Sequence, residues 1–228
     1  MPPIVTCPIL DALDPEDALL LIERGVVRDL ARNDFLHLEG ELSDERIHIV
    51  LDGVMKLSAR DAEGRETILG LALEGDLVGE IAALGHAVHP YDAVAAAPSS
   101  LLGVDADALL SAVFASPTAS RAFASALGER TSRIAQAAAE RSTSEVPARL
   151  ASRLLELADL LGRMRGDSIE LELPFAQEEL GRLAGMCRES ACKTLRRFKS
   201  QGILDYSGKR LRIFRPDSLE RIRCAGRA

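Results

Sequence analysis

The sequence predicts a mixed α/β chain in three parts: an antiparallel β-roll of jelly-roll type over 1–115, a long helix over 116–144, and a winged helix-turn-helix over 145–228. Three observations predict it. Short β-type runs separated by glycine turns fill the stretch from about 33 to 105. A helical run without turn residues follows Ser116-Pro117. Ala176 to Ser200 reads as two short helices around a tight turn, the second strongly basic.

The elements follow in order. Pro15 suits a first helical turn, acids follow it and apolar residues repeat, so 15–24 is a short helix. Ile47 to Leu51 is a strand that stops at the Asp52-Gly53 turn. Val54, Lys56 and Ser58 alternate with Met55, Leu57 and Ala59 as the next strand. Asp61-Ala62-Glu63-Gly64 is a hairpin loop before Thr67-Ile68-Leu69, and further turns fall at 74–76 and Ala97-Pro98. In the long helix, Phe123, Leu127, Ile134 and Ala138 form an apolar stripe, and alanines cluster from 135 to 139. Such a helix either covers its own barrel or forms a parallel two-stranded seam with a second copy. Pro147 opens another helix, and Ile169 to Leu173 alternates as a strand that ends at Pro174. Ile203 to Tyr206, a turn at Ser207-Gly208, and Leu211 to Phe214 make a hairpin wing.

Composition bounds the function. Apolar residues are 47% and charged residues 28%, an ordinary globular balance. No run is apolar for about 18 residues, and Met1-Pro2-Pro3 carries no basic segment ahead of an apolar one, so the expected location is the cytoplasm, with no membrane partner. The scattered Cys7, Cys187, Cys192 and Cys224 form no CxxC, which argues against a disulfide framework or structural zinc. The net charge of −7 is unevenly divided: residues 1–146 hold 11 basic and 24 acidic side chains, residues 147–228 hold 17 and 11. Six basic residues and one acid lie within 182–199, which points to nucleic acid as the partner of that segment.

In the helix pair, Leu180, Leu183 and Ala184 face the second helix, and Gly185 releases the chain into the turn. In the second helix Ala191, Leu195 and Phe198 are spaced to face inward. That leaves Arg188, Glu189, Lys193, Arg196 and Arg197 outward. Arginine can pair with guanine O6 and N7, and glutamate can accept from the cytosine amino group. Ser190 and Gln177 suit phosphate contacts, and Lys209 and Arg210 on the wing suit backbone charge.

The segment Arg188-Glu189-Ser190-Ala191-Cys192-Lys193, with Gln177-Glu178-Glu179-Leu180-Gly181 upstream of it, resembles the DNA-reading signature of the Crp/Fnr family of bacterial transcription regulators. The likeness extends over almost the whole chain. It implies a cyclic-nucleotide-binding-like sensor roll, a dimerisation helix and a DNA-binding winged helix. It also implies a homodimer on pseudo-palindromic double-stranded DNA, with base recognition by Arg188, Glu189 and Lys193 and with RNA polymerase as a further partner. Lys193 stands where cyclic-AMP-responsive members have arginine, and Cys187 and Ala176 stand where Ser or Thr usually cap the two helices.

The same resemblance places an effector pocket at Gly79, Glu80, Tyr91, Asp92, Ile134 and Ala135. Gly79-Glu80 matches the family's first ligand pair. The second pair, an Arg followed by Ser or Thr, is replaced by Pro90-Tyr91-Asp92, and no arginine occurs between Arg65 and Arg121. Ile134 and Ala135 replace the Thr and Ser that face the adenine. A cyclic phosphate needs a positive partner or a nest of donors, so no response to cyclic AMP of the usual kind is expected. The resemblance places the cysteines of an iron–sulfur cluster mostly near the amino terminus, where this chain has only Cys7, so a four-cysteine cluster is not expected. No cofactor is expected. Haem is the alternative, with His86 or His89 and Pro2 as ligands by resemblance, and an unidentified small-molecule effector is another. A cupin-like metal enzyme would need clustered histidines, and His37, His48, His86 and His89 contain no HxH. A protein-binding module with an acidic partner is the remaining class.

Overall fold

Asp14 sets where the first α-helix begins. Its carboxylate accepts the Glu16 amide at 3.0 Å, and α1 runs Pro15–Arg24. The structure, a computed structural model, describes residues 6–226, apart from the side chains of His86 and Gln177. Eight strands follow: β1 Val26–Leu30, β2 Phe35–His37, β3 Arg46–Asp52, β4 Met55–Arg60, β5 Glu66–Ala72, β6 Leu77–Val78, β7 Asp92–Ala95 and β8 Ser99–Asp105. They form two four-stranded sheets, ordered β1-β8-β3-β6 and β2-β7-β4-β5. Pairing is antiparallel, with Ile47 opposite Val104 and Leu57 opposite Ala93. The strands therefore begin at Val26, ahead of the expected strand-rich stretch from about 33. β1 is an edge strand exposed over its first four residues, so it shows no apolar alternation.

The β3–β4 turn needs Gly53. Its φ is +92°, and a Cβ there would lie 2.5 Å from Pro98 O. Alternation along the strands builds two cores. Val50, Met55, Leu57 and Leu101 fill the space between the sheets. Ile47, Ile49, Leu102 and Val104 point the other way, onto helices.

Those helices are α2, Ala106–Ala115, and α3, Pro117–Thr143. α2 was not expected; Asp105 caps it by accepting the Ala108 amide at 2.8 Å. In α3, Phe123 is buried in the roll's second core and Leu127 packs against it. This half of the apolar stripe thus covers the roll. Ala135, Ala138 and Ala139 are exposed.

The carboxyl part consists of α4 Val146–Leu161, β9 Arg163–Arg165, β10 Ser168–Glu172, α5 Gln177–Leu183, α6 Arg188–Ser200, β11 Leu204–Ser207, β12 Arg210–Ile213 and α7 Pro216–Ala225. Its sheet is ordered β11-β12-β10-β9, so the wing pairs with the strand that ends before Pro174. Leu150, Leu154, Phe175 and Phe198 are fully buried. β9 and α7 were not anticipated. By contacts the chain divides into two compact units, one holding the residues up to Asp61 with Leu69–Arg133, the other Ala62–Ile68 with Ile134 onward. Their boundary falls inside α3. No helix among the described residues is long and apolar enough to cross a membrane.

Candidate nucleic-acid interface and effector pocket

The α5–α6 turn places one face of α6 outward. Gly185 takes φ +63° at the end of α5, a conformation that L side chains adopt rarely. Ala191, Leu195 and Phe198 are then buried against the unit's core, as their spacing predicts, and Thr194 is buried with them. Arg188, Glu189, Lys193, Arg196 and Arg197 are exposed, and Ser190 is half-buried. The outward face thus carries a guanidinium, a carboxylate and an ammonium within the first two turns. These are the groups that can read base edges in a major groove.

Several charges around this face are already engaged. Arg182 donates to Glu66 at 2.6 Å and to Glu178 at 2.8 Å, all within the second unit. Glu178 also lies 3.7 Å from Arg188, whose side chain is 72% exposed, so the pair is loose enough to exchange for a base. Lys199 is paired with Asp205 on the wing. The carboxylates of Glu66 and Glu178 are tertiary or cross-helix partners that the charge count alone did not reveal. Lys209, expected as a wing charge, is half-buried and donates to Pro174 O at 3.2 Å, whereas its neighbour Arg210 is exposed.

Neither helix has a side-chain cap. Ala176 leaves α5 with only the return half of a capping box, in which Glu179 accepts the Ala176 amide at 3.1 Å. At α6 the Cys187 Sγ lies 3.2 Å from Ser190 Oγ, and this contact holds the exposed thiol below its ordinary pKa. Gln177 opens α5.

In the roll, Glu80 is fully buried and forms an ion pair with Arg130 of α3. Arg130 also donates to Leu77 O at 2.6 Å. The sequence offers Glu80 no nearby arginine, since none occurs between Arg65 and Arg121. The structure brings in a cation from a distant helix instead. Burial pushes the Glu80 carboxyl up, against the pull of Arg130. Desolvation opposes the charge on Arg130, but Glu80 outweighs it and raises its pKa. Tyr91 is buried nearby, and burial followed by Glu80 pushes its phenol up.

Asp92 is buried and structural: it accepts the Glu39 amide at 2.9 Å and lies 3.3 Å from Arg60 Nε. Gly79 takes φ +92° beside His48 and His89. Ile134 is half-buried and Ala135 exposed, and both fall in the second unit. His89 is buried, with its ring stacked on that of His37 at 3.6 Å between centroids. Pro2 lies outside the described residues. Among the described residues, no three His, Cys, Asp or Glu side chains are disposed to hold a metal ion.

Comparison with known proteins agrees with both halves. Residues 12–116 match the cyclic nucleotide-binding domain family, and residues 148–222 match the Crp-like helix-turn-helix domain. The CRP-like cAMP-activated global transcriptional regulator of Mycobacterium tuberculosis is 28% identical over 213 residues, which cover 93% of this chain and 95% of that protein. FixK2 from Bradyrhizobium japonicum shares the fold with a TM-score of 0.77 at 20% identity, over 87% of this chain and 96% of that one. The c-di-GMP responsive global regulator CLP of Xanthomonas campestris does so with 0.73 at 20% identity, over 88% and 99%. A roll of the cyclic-nucleotide-binding-domain type, a long helix, and a winged helix-turn-helix with an outward Arg188-Glu189 pair thus occur in one chain. That chain belongs to the Crp/Fnr family of bacterial transcription regulators and is a sequence-specific DNA-binding regulator of that type.

Proposed function

We propose that a homodimer of this chain reads a pseudo-palindromic operator, with Arg188, Glu189 and Lys193 of each protomer at base edges. Ser190 and Gln177 fix the helix on phosphates. On the wing Arg210 supplies backbone charge, and Lys209 does so once it leaves Pro174 O. The observation that carries this reading is the outward face of α6, where buried Ala191, Leu195 and Phe198 fix which side chains are offered. The exposed Ala135, Ala138 and Ala139 of α3 support close approach by the same helix of a second copy. In this reading 1–115 senses, 116–144 dimerises and 145–228 binds DNA, and RNA polymerase is the partner on which the bound dimer acts.

The effector differs from cyclic AMP. The Mycobacterium tuberculosis relative is cAMP-activated and the Xanthomonas protein is c-di-GMP responsive, so similar chains answer to different ligands. Here the residues at 90–92 are Pro-Tyr-Asp, Asp92 already has its partners, and Arg130 is held by Glu80. Haem is the weaker alternative. It would have to recruit His86 or His89, and His89 would first have to leave its stack on His37.

The test is duplex binding by the full chain and by Arg188→Ala. The substitution should weaken a specific site by about 1–3 kcal/mol for each lost bidentate pair and leave arbitrary duplexes little changed. Equal loss on specific and arbitrary duplexes would contradict the assignment.

A further inference from the structure

We propose that Glu178 is a specificity-determining residue: it holds Arg188 back from arbitrary phosphates and yields it to a base edge that offers a better pair. The proposal rests on the reading of Arg188 given above and adds a residue that contacts no base itself.

Glu178 stands in the first turn of α5, and Arg188 opens α6. The turn between the helices brings the two side chains together. Glu178 Oε2 lies 3.7 Å from Arg188 Nη1, and both side chains are open to solvent, Glu178 at 43% and Arg188 at 72%. The carboxylate is anchored from behind. Its other oxygen accepts from Arg182 Nη2 at 2.8 Å, and Arg182 Nη1 donates to Glu66 at 2.6 Å. The Glu66 side chain is only 10% exposed, so this row of charges has one fixed end and one loose end, and Arg188 is the loose one. All four residues fall within the second unit.

Arg188 sits at the positive end of the α6 dipole, and Cys187 gives that end no side-chain cap. A cation there is unfavourable by itself, and Glu178 offsets it. An exposed pair of this kind is weak enough to exchange. A phosphate only replaces one anionic partner of Arg188 by another. Guanine offers O6 and N7 together, in the fork geometry of the guanidinium, and so adds a pair that depends on sequence. On arbitrary duplexes Arg188 therefore stays with Glu178, and on the operator it leaves. Discrimination gained in this way comes from a competing contact rather than from an added attractive one.

The experiment measures affinity over a range of salt for a genomic fragment that the chain binds specifically and for an arbitrary duplex of equal length. The proteins are the full chain, Glu178→Gln, Arg188→Ala and Glu178→Gln/Arg188→Ala. Glutamine keeps an oxygen for Arg182 and removes the charge. Glu178→Gln should bind the arbitrary duplex several-fold more tightly, with a salt slope steeper by about one, the mark of one new phosphate contact. Its gain on the specific fragment should be smaller. The double variant should lose the gain on the arbitrary duplex, because the freed Arg188 makes the new contact. A gain that persists in the double variant would be a general effect of charge and would overturn the proposal. Equal gains on both duplexes, or no gain on the arbitrary one, would overturn it as well. Equal loss on both duplexes in Arg188→Ala alone would instead reject the base-reading role of Arg188, and the proposal with it.

Discussion

Glu140 Oε2 accepts from Arg153 Nη2 at 2.9 Å, with both side chains more than nine-tenths buried, and this pair ties the end of α3 to α4. Ser152 Oγ donates to the other Glu140 oxygen at 2.8 Å. Arg149 reaches Arg141 O at 3.2 Å across the same corner, and the Glu145 amide donates to Gly226 O at 3.3 Å. The segment 142–147, rich in Ser and Thr ahead of Pro147, reads in sequence as either a hinge or a rigid corner. In the fold it is a braced corner.

Removing one partner of the pair leaves a buried charge uncompensated. Arg153→Met should destabilise the winged unit by about 3–5 kcal/mol in urea unfolding, and Glu140→Leu/Arg153→Met should recover most of that loss. A double variant as unstable as the single one would show that the corner is held by something else.

The uncapped helices offer a gain. Ala176→Ser and Cys187→Ser each introduce an oxygen that can accept a first-turn amide, and each should stabilise the unit by about 1 kcal/mol. Unchanged or lower unfolding midpoints would show that these helix starts do not admit the capping geometry.

Acid should weaken the roll. Burial is the main cause that lowers the imidazoles of His37, to about 3, and of His48, to about 4, and it lowers His89 as well. For His37 the neighbouring His89 and His48 lower it further. For His48, Asp44 acts in the opposite direction and Arg28 and Arg46 in the same one. Asp44 and Glu41 oppose the shift at His89. Unfolded imidazoles titrate near 6.5. The unfolded chain therefore binds more protons below that value, and stability is full above about pH 6.5 and falls as the pH drops, by up to about 1.4 kcal/mol per unit for each imidazole. Urea midpoints between pH 7.5 and 5.5 test this. His37→Gln should flatten the slope, and an unaltered slope would contradict the assignment.

Cyclic AMP should give no saturable heat with the purified chain and no change in duplex affinity. The reason is the pairing of Arg130 with Glu80 and of Asp92 with Arg60 and the Glu39 amide. Micromolar binding in calorimetry would contradict it.

What was legible in the sequence follows from the range of the interactions involved. The α6 face could be read because helical spacing alone separates Ala191, Leu195 and Phe198 from Arg188, Glu189 and Lys193. The Asp52-Gly53 and Ser207-Gly208 turns are local chemistry and were equally readable. β1 was missed because an exposed edge strand has no alternation, and α2 because its one signal is the Asp105 cap. Arg130 lies 50 residues from Glu80, and no spacing rule connects them. The tie between Lys209 and Pro174 likewise depends on how the wing folds back on β10.

The most direct measurement of the central claim is sequencing of the genomic fragments retained by the purified full-length chain. The account predicts that they share an inverted repeat whose half-sites are centred about one helical turn apart, roughly 34 Å, with two chains bound per site. Retained fragments with no common inverted repeat, or one chain per site, would contradict it.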